Sequence, residues 1–225
     1  MQQEGTITNI SPIDGRYTDV TSPLRNYFSE HAYLRASLRI EIEYFAFLSK
    51  IKIFKPLTPK EKGLIKKIYL NFTPAEAIKL KTAGTPDGLR IHDLKSIEYY
   101  LKSALQNTSL SNTTQWIHFG LTSNDIVDNA YRLMIKNALS EILIPEIQNL
   151  LTILNTIAHK HAGLPMLGRT HGQPAVPTTF GKEMAVFSTR IEKELKNLKN
   201  RKFYGKFGGA VGNWNALKFA FPTAD

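Results

Sequence analysis

The 225-residue chain contains no cysteine, which excludes a disulfide framework and any thiolate metal site. It also lacks a long apolar run. Nowhere do about 18 uncharged apolar residues follow one another, which argues against a membrane span. The opening MQQEGTITNISPIDG has no basic stretch followed by an apolar core, so it does not read as a secretory signal. A cytoplasmic setting is the expectation that fits these absences. No HExxH, P-loop, GxSxG or GxGxxG pattern occurs. Gly205, Gly208, Gly209 and Gly212 lack the strand-before, helix-after setting of a dinucleotide site. Acid is in short supply, with 19 Asp and Glu against 29 Lys and Arg, a net charge of +10. That excess favours anionic partners: nucleic acid, acidic lipid, or small phosphates and carboxylates. The lysine-rich stretches 55–67 and 193–202 read as solvated helical faces rather than as aromatic-interleaved nucleic-acid strips.

What is present is helical periodicity. Leu34, Leu38, Ile42, Phe45 and Leu48 fall at helical spacing within 29–50. Ser22-Pro23, Thr58-Pro59 and Thr73-Pro74 each offer a cap followed by a proline at the first helical position. Leu64, Ile65, Ile68 and Tyr69 form the predicted inner face after Thr58. Asp93 opens a helix striped by Leu94, Ile97, Leu101 and Leu105. After the polar connector 106–115, residues 122–163 read as one very long helix, which Pro145 should bend or locally open. A second long helix spans about 178–202, with Phe180, Met184, Phe187, Ile191, Leu195 and Leu198 as its seam. Nothing reads as a multi-strand sheet, and any strand pair is expected as a short hairpin in the glycine-rich tail 205–225. The predicted class is all-α: a small helical domain over 1–111, then the first part of a long-helix bundle over 112–225. Two such helices cannot bury their stripes on each other alone, so further helices are expected from this chain or from other subunits.

Four polar clusters interrupt this plan. In 11-SPIDGRY-17, Arg16 and Tyr17 offer a guanidinium fork and a phenol, suited to phosphate or carboxylate; the plain alternative is a surface turn whose Arg16 pairs with a local acid. Arg90, His92 and Asp93 sit where a helix begins, a place that favours an anion, although a histidine merely packed at a helix start is equally in keeping. In 118-HFGLTSND-125, Thr122, Ser123 and Asn124 bring hydroxyls, an amide and unpaired backbone N–H groups together, good chemistry for a carboxylate; an ordinary N-cap needs only one of them. In 167-LGRTHGQPAVPTTFGKEM-184, His171 offers an imidazole that could pass a proton, placed in a proline-stiffened loop that would hold it in fixed geometry. Gly172 beside it allows close backbone approach. A lone loop histidine without a role is the alternative. His31, His159 and His161 lie in helical contexts without an acid at ligand spacing.

Taken in order, SPIDGRY, RIHDLKSIEYYL, HFGLTSNDI, GRTHGQPAVPTTFGKEMA and GKFGGAVGNWNA resemble the adenylosuccinate lyase branch of the fumarase/aspartase superfamily, from about residue 8 to the end of the chain. Gly172-Gln173 after the histidine separates this branch from fumarase, aspartase and argininosuccinate lyase, which carry Leu-Gln there. The resemblance implies elimination of fumarate from adenylosuccinate, giving AMP, and from succinylated aminoimidazole carboxamide ribotide (SAICAR), giving AICAR. It implies His171 as the general acid, Arg16 and Tyr17 on the phosphate, and Thr122 and Ser123 on a succinyl carboxylate. His92 and Asp93 line the pocket, and Thr170 and Gln173 touch substrate. Ile91 stands where relatives often have asparagine, which puts one substrate contact in doubt. No metal or organic cofactor, nucleic acid or membrane is implied. The family is a homotetramer whose active sites draw on three subunits. Its base-bearing loop, a serine pair followed by Met-Pro and Lys-x-Asn-Pro, is missing. The expectation is therefore an N-terminal portion of a longer enzyme, inactive by itself. The alternatives are another fumarate-releasing superfamily lyase and a basic helical nucleic-acid-binding module.

Overall fold

The computed structural model describes residues 8–82 and 93–223. Four of its helices begin at a side chain that takes up a free N–H of the first turn. Ser29 accepts from Ala32 N and opens α1 (Glu30–Lys50). Thr58 and Glu61 form a reciprocal capping box at α2 (Pro59–Leu70), and Thr73 with Glu76 does the same at α3 (Pro74–Thr82). Then come α4 (Asp93–Leu105), α5 (Ser123–Ala138), a π turn (Leu139–Leu143) and α6 (Ile144–Lys160). A hairpin of β1 (Pro165–Thr170) and β2 (Gln173–Thr179) leads into α7 (Phe180–Lys199), where Thr179 accepts from Lys182 N. A short α8 (Asn215–Ala220) follows. No described helix is long and apolar enough to cross a membrane.

The chain divides into two compact units, 1–136 with 204–225, and 137–203. In the first, the predicted stripes are the core. Leu34, Leu38, Ile42, Phe45 and Leu48 of α1 are all buried, as are Leu94, Ile97, Leu101 and Leu105 of α4. On α2 the inner face is Ile65 and Tyr69, while Leu64 turns outward. Ser22 does not cap; its hydroxyl donates to the Asp19 carbonyl, and Ser22–Leu24 is a 3₁₀ turn.

Glu61 does more than cap. Its carboxylate accepts from Thr58 N, the Ser109 hydroxyl and Lys55 Nζ. The Thr58 N–H, then Ser109, with a smaller part from Lys55, hold its pKa at about 2 against an ordinary 4.5. A depressed folded pKa stabilises the fold above the unfolded pKa and ceases to do so as pH falls toward the folded one. Glu61 therefore contributes at most about 3 kcal/mol near neutrality, lost progressively between pH ~4.5 and ~2. The expected result is a shallower acid limb in urea-midpoint measurements for Glu61→Gln than for the wild type. Parallel limbs would contradict it.

In the second unit, the Pro145 expectation is met by local opening. Pro145 has no N–H to give the preceding turn, and the backbone widens just ahead of it, with Ile144 N donating to Leu139 O. The two long helices meet along a line that shares only Leu195 with the predicted seam of α7. Gly181, Ser188 and Leu195 are the buried residues of α7, seven apart, and Leu151 and Ala158 those of α6. Ser188 Oγ donates to Asn155 Oδ1 at 2.5 Å. A Cβ on Gly181 would lie 2.3 Å from the Ala158 carbonyl oxygen, so only glycine admits this approach. Of the predicted seam on α7, Leu195 is buried, Phe180, Met184, Ile191 and Leu198 are half-buried, and Phe187 is 51% exposed.

The hairpin lies at 165–179, not in the tail as expected. The tail's glycine stretch is instead an irregular turn followed by α8. Prolines are tolerated in the hairpin because each of its two strands is an edge. Pairing runs from Pro165↔Thr179 to Thr170↔Gln173, with a register shift between Leu167 and Arg169.

Candidate functional site

His171 and Gly172 are the two residues between the strands, so the expected stiff loop is a hairpin tip. Both have positive φ, 51° and 73°, which a two-residue turn of the I′ kind requires. Gly172 supplies that conformation, and a Cβ there would meet nothing of this chain within 4 Å. Histidine is among the few side chains that tolerate positive φ. Thr170, His171 and Gln173 are all exposed, with Thr170 and Gln173 paired across the turn. The His171 ring makes no hydrogen bond or ion pair with any described residue.

The 118-HFGLTSND-125 cluster belongs to the first unit and is fixed by α1. His118, at φ 59°, places Nδ1 2.5 Å from Glu41 Oε1. Tyr44 Oη donates to the Phe119 carbonyl at 2.9 Å. Glu41 has no exposed side-chain area. Its burial raises its pKa, opposed by His118. Desolvation alone would lower the His118 pKa, but the Glu41 hydrogen bond and the charges of Glu41 and Glu98 outweigh it and raise it.

Asp125 carries the other half of the arrangement. Its side chain is fully buried, and both oxygens are saturated. Oδ1 accepts from Lys206 Nζ at 2.7 Å and Gly208 N at 3.0 Å; Oδ2 accepts from Thr122 N and Gly209 N, each at 3.0 Å. Desolvation would raise the Asp125 pKa, yet Lys206 and the Thr122 and Gly208 N–H groups bring it below the ordinary carboxylate value. Thr122 N–H is thus not free for a ligand. The Ser123 and Asn124 N–H groups, and the Thr122 and Ser123 hydroxyls, have no partner among the described residues. These four donors can hold a carboxylate at the start of a 16-residue helix.

Arg16 and Tyr17 are both exposed, with the guanidinium 5.6 Å from the Tyr17 ring centre. Arg16 forms no ion pair among the described residues. Neither residue bonds to Asp93, Thr122 or Ser123. Asp93 is the first residue of α4 and half-buried. Arg90, Ile91 and His92 lie outside the described residues. An apolar cavity of about 550 Å³, lined by Tyr44, Phe47, Ile51, Trp214, Leu217 and Phe221 among others, includes none of the predicted site residues. Sequence reasoning missed the Glu41–His118 pair and the Asp125–Lys206–Asn129 cluster. The one available signal was the recurrence of glycine around Lys206, which marks backbone N–H groups gathered in a turn.

A family model described as "Lyase" matches residues 15–224. Among curated proteins, the adenylosuccinate lyase of Dictyostelium discoideum is 41% identical over 99% of this chain and 49% of its own length. That of Haemophilus influenzae is 37% identical over 99% and 49%, and that of Escherichia coli (strain K12) 35% over 98% and 48%. The chain spans about half the length of the curated relatives it matches. Among solved structures, a fumarate lyase from Mesorhizobium sp. BNC1 superposes with a TM-score of 0.69 at 23% identity, over 87% of this chain and 44% of that one. The 3-carboxy-cis,cis-muconate lactonizing enzyme of Pseudomonas putida gives 0.68 at 24%, over 90% and 44%. These two establish a shared helical fold.

Proposed function

The chain belongs to this lyase family, and from that premise we propose that the full-length protein cleaves adenylosuccinate to AMP and fumarate, and SAICAR to AICAR and fumarate. The observation that carries the reading is 35–41% identity, across nearly the whole chain, to relatives named for this activity. The geometry supplies groups suited to the chemistry. A base removes a proton from the succinyl carbon next to the C–N bond. The electron pair of that C–H bond passes through the adjacent carboxylate-stabilised carbanion into the new C=C bond. The C–N pair leaves on nitrogen, which takes a proton from His171.

Thr122 and Ser123, with the free amides behind them, hold the succinyl carboxylate, where charge accumulates in the transition state. Arg16 and Tyr17 hold the phosphate. Asp93, with Ile91 and His92 ahead of it, lines the pocket, and Thr170 and Gln173 flank the acid. The base comes from sequence outside these 225 residues, so this portion alone does not turn over. The working enzyme is a cytoplasmic homotetramer in which different subunits contribute these groups to one site. Within it, residues 1–111 form the N-terminal domain and 112–225 the first part of the central bundle.

The phosphate assignment has a direct test. Arg16→Met in the full-length protein should raise KM for adenylosuccinate about 10–100-fold, the range of a lost charge-assisted hydrogen bond. The phosphate-free analogue succinyladenosine should be cleaved as well by the variant as by the wild type. Equal losses on both substrates would contradict the assignment, and a full-length protein that releases no fumarate from adenylosuccinate would sink the reading itself.

A further inference from the structure

We propose that Asp125 is a positioning residue, whose buried carboxylate fixes the Thr122–Ser123 hydroxyls by clamping the start of α5 to the glycine turn at Lys206–Gly209. The proposal rests on the reading that those hydroxyls grip the succinyl carboxylate. A helix start needs no such clamp. One side-chain oxygen on one N–H is enough to cap it, and burying a carboxylate carries a desolvation cost of several kcal/mol. Asp125 instead gathers four donors from two segments: Thr122 N at the helix start, and Lys206 Nζ, Gly208 N and Gly209 N in the glycine turn.

The clamp is doubled one turn on. Asn129 Nδ2 donates to the Asp125 carbonyl at 2.7 Å and to the Lys206 carbonyl at 2.6 Å, while Lys206 N donates to Asn129 Oδ1 at 3.1 Å. Lys206 Nζ also reaches the Gly209 carbonyl at 2.8 Å. The arrangement consumes Thr122 N–H and leaves the Thr122 and Ser123 hydroxyls unbonded. Lys206 also neutralises Asp125, so an incoming carboxylate meets no bare negative charge beside its donors. Binding groups held this firmly retain the geometry on which rate depends.

The test is a mutant cycle on kcat/KM for adenylosuccinate in the full-length enzyme: wild type, Asp125→Asn, Thr122→Ala with Ser123→Ala, and all three together. Asp125→Asn is expected to lower kcat/KM about 10–100-fold in the wild-type background and by no more than about twofold once the hydroxyls are gone. A residue that merely supports the fold would lower it by the same factor in both backgrounds, and that additivity, or no loss at all, overturns the proposal. Where Asp125→Asn does not fold, Lys206→Met takes its place in the cycle with the same expectation. If removing both hydroxyls leaves kcat/KM intact, the carboxylate reading falls first, and the positioning role falls with it.

Discussion

Replacing His171 by asparagine in the full-length protein lowers turnover of adenylosuccinate by about 10²–10⁴, the usual contribution of a positioned proton donor, with the thermal midpoint unchanged. Asparagine is the informative substitution because of the backbone. His171 and Gly172 both sit at positive φ, and Asn-Gly is the favoured pair for such a turn. The hairpin therefore keeps its shape while the imidazole is lost. Alanine at the same place would add backbone strain of about 1 kcal/mol, and a loss of activity would then have two causes. Since the imidazole bonds to none of the described residues, its removal strands no partner among them.

Gly181→Ala gives the largest expected stability loss, about 2–4 kcal/mol, in differential calorimetry or urea unfolding. In an open helix the same change would gain roughly 1 kcal/mol. Here the sign reverses, because the new methyl would lie 2.3 Å from the Ala158 carbonyl oxygen and 2.7 Å from the Ala162 backbone. These are backbone atoms, so relief requires α6 and α7 to separate. The same junction forms the base of the hairpin: Phe180 N donates to Leu164 O and Gly181 N to His161 O, each at 3.0 Å. A shift there is carried to His171, so turnover falls as well, by about 10²-fold for a displacement near 1 Å. The two variants thus differ in kind: one loses activity alone, the other stability and activity together. A Gly181→Ala protein as stable as the wild type would mean that the helices do not meet as described.

The contrast between what the sequence foretold and what it concealed follows from range and side-chain size. Leu34 through Leu48 and Leu94 through Leu105 announce their buried faces by spacing, because each large apolar side chain repeats with the helix. Pro145 announces the π turn because its missing donor must be met within one turn. Thr58 and Thr73 announce their helices by local capping chemistry. On the line where the long helices meet, Leu195 was in the predicted seam, but Gly181 and Ser188 were hidden because contact through small residues leaves no mark in an apolar pattern. The hairpin was hidden because Pro174 and Pro177 argue against a strand in every setting except an edge. Thr122, Ser123 and His171 stood out as chemistry-bearing residues at a helix start and in a stiff loop. Asp125 looked like an ordinary first-turn acid, since its partner Lys206 is 81 positions away. Nothing near Glu41 in the sequence marks its pairing, since His118 is 77 positions away. Pairings at such range are made by the fold and leave no local trace.

The most direct measurement of the central claim, that His171 protonates the departing nitrogen, is a single-turnover experiment. Excess full-length His171→Asn enzyme is mixed rapidly with adenylosuccinate, and bound substrate and released fumarate are followed together. The account predicts substrate bound as tightly as by the wild type, with fumarate release slowed by at least about 10². Release at the wild-type rate, or a rate restored in full once weakened binding is saturated, would contradict it.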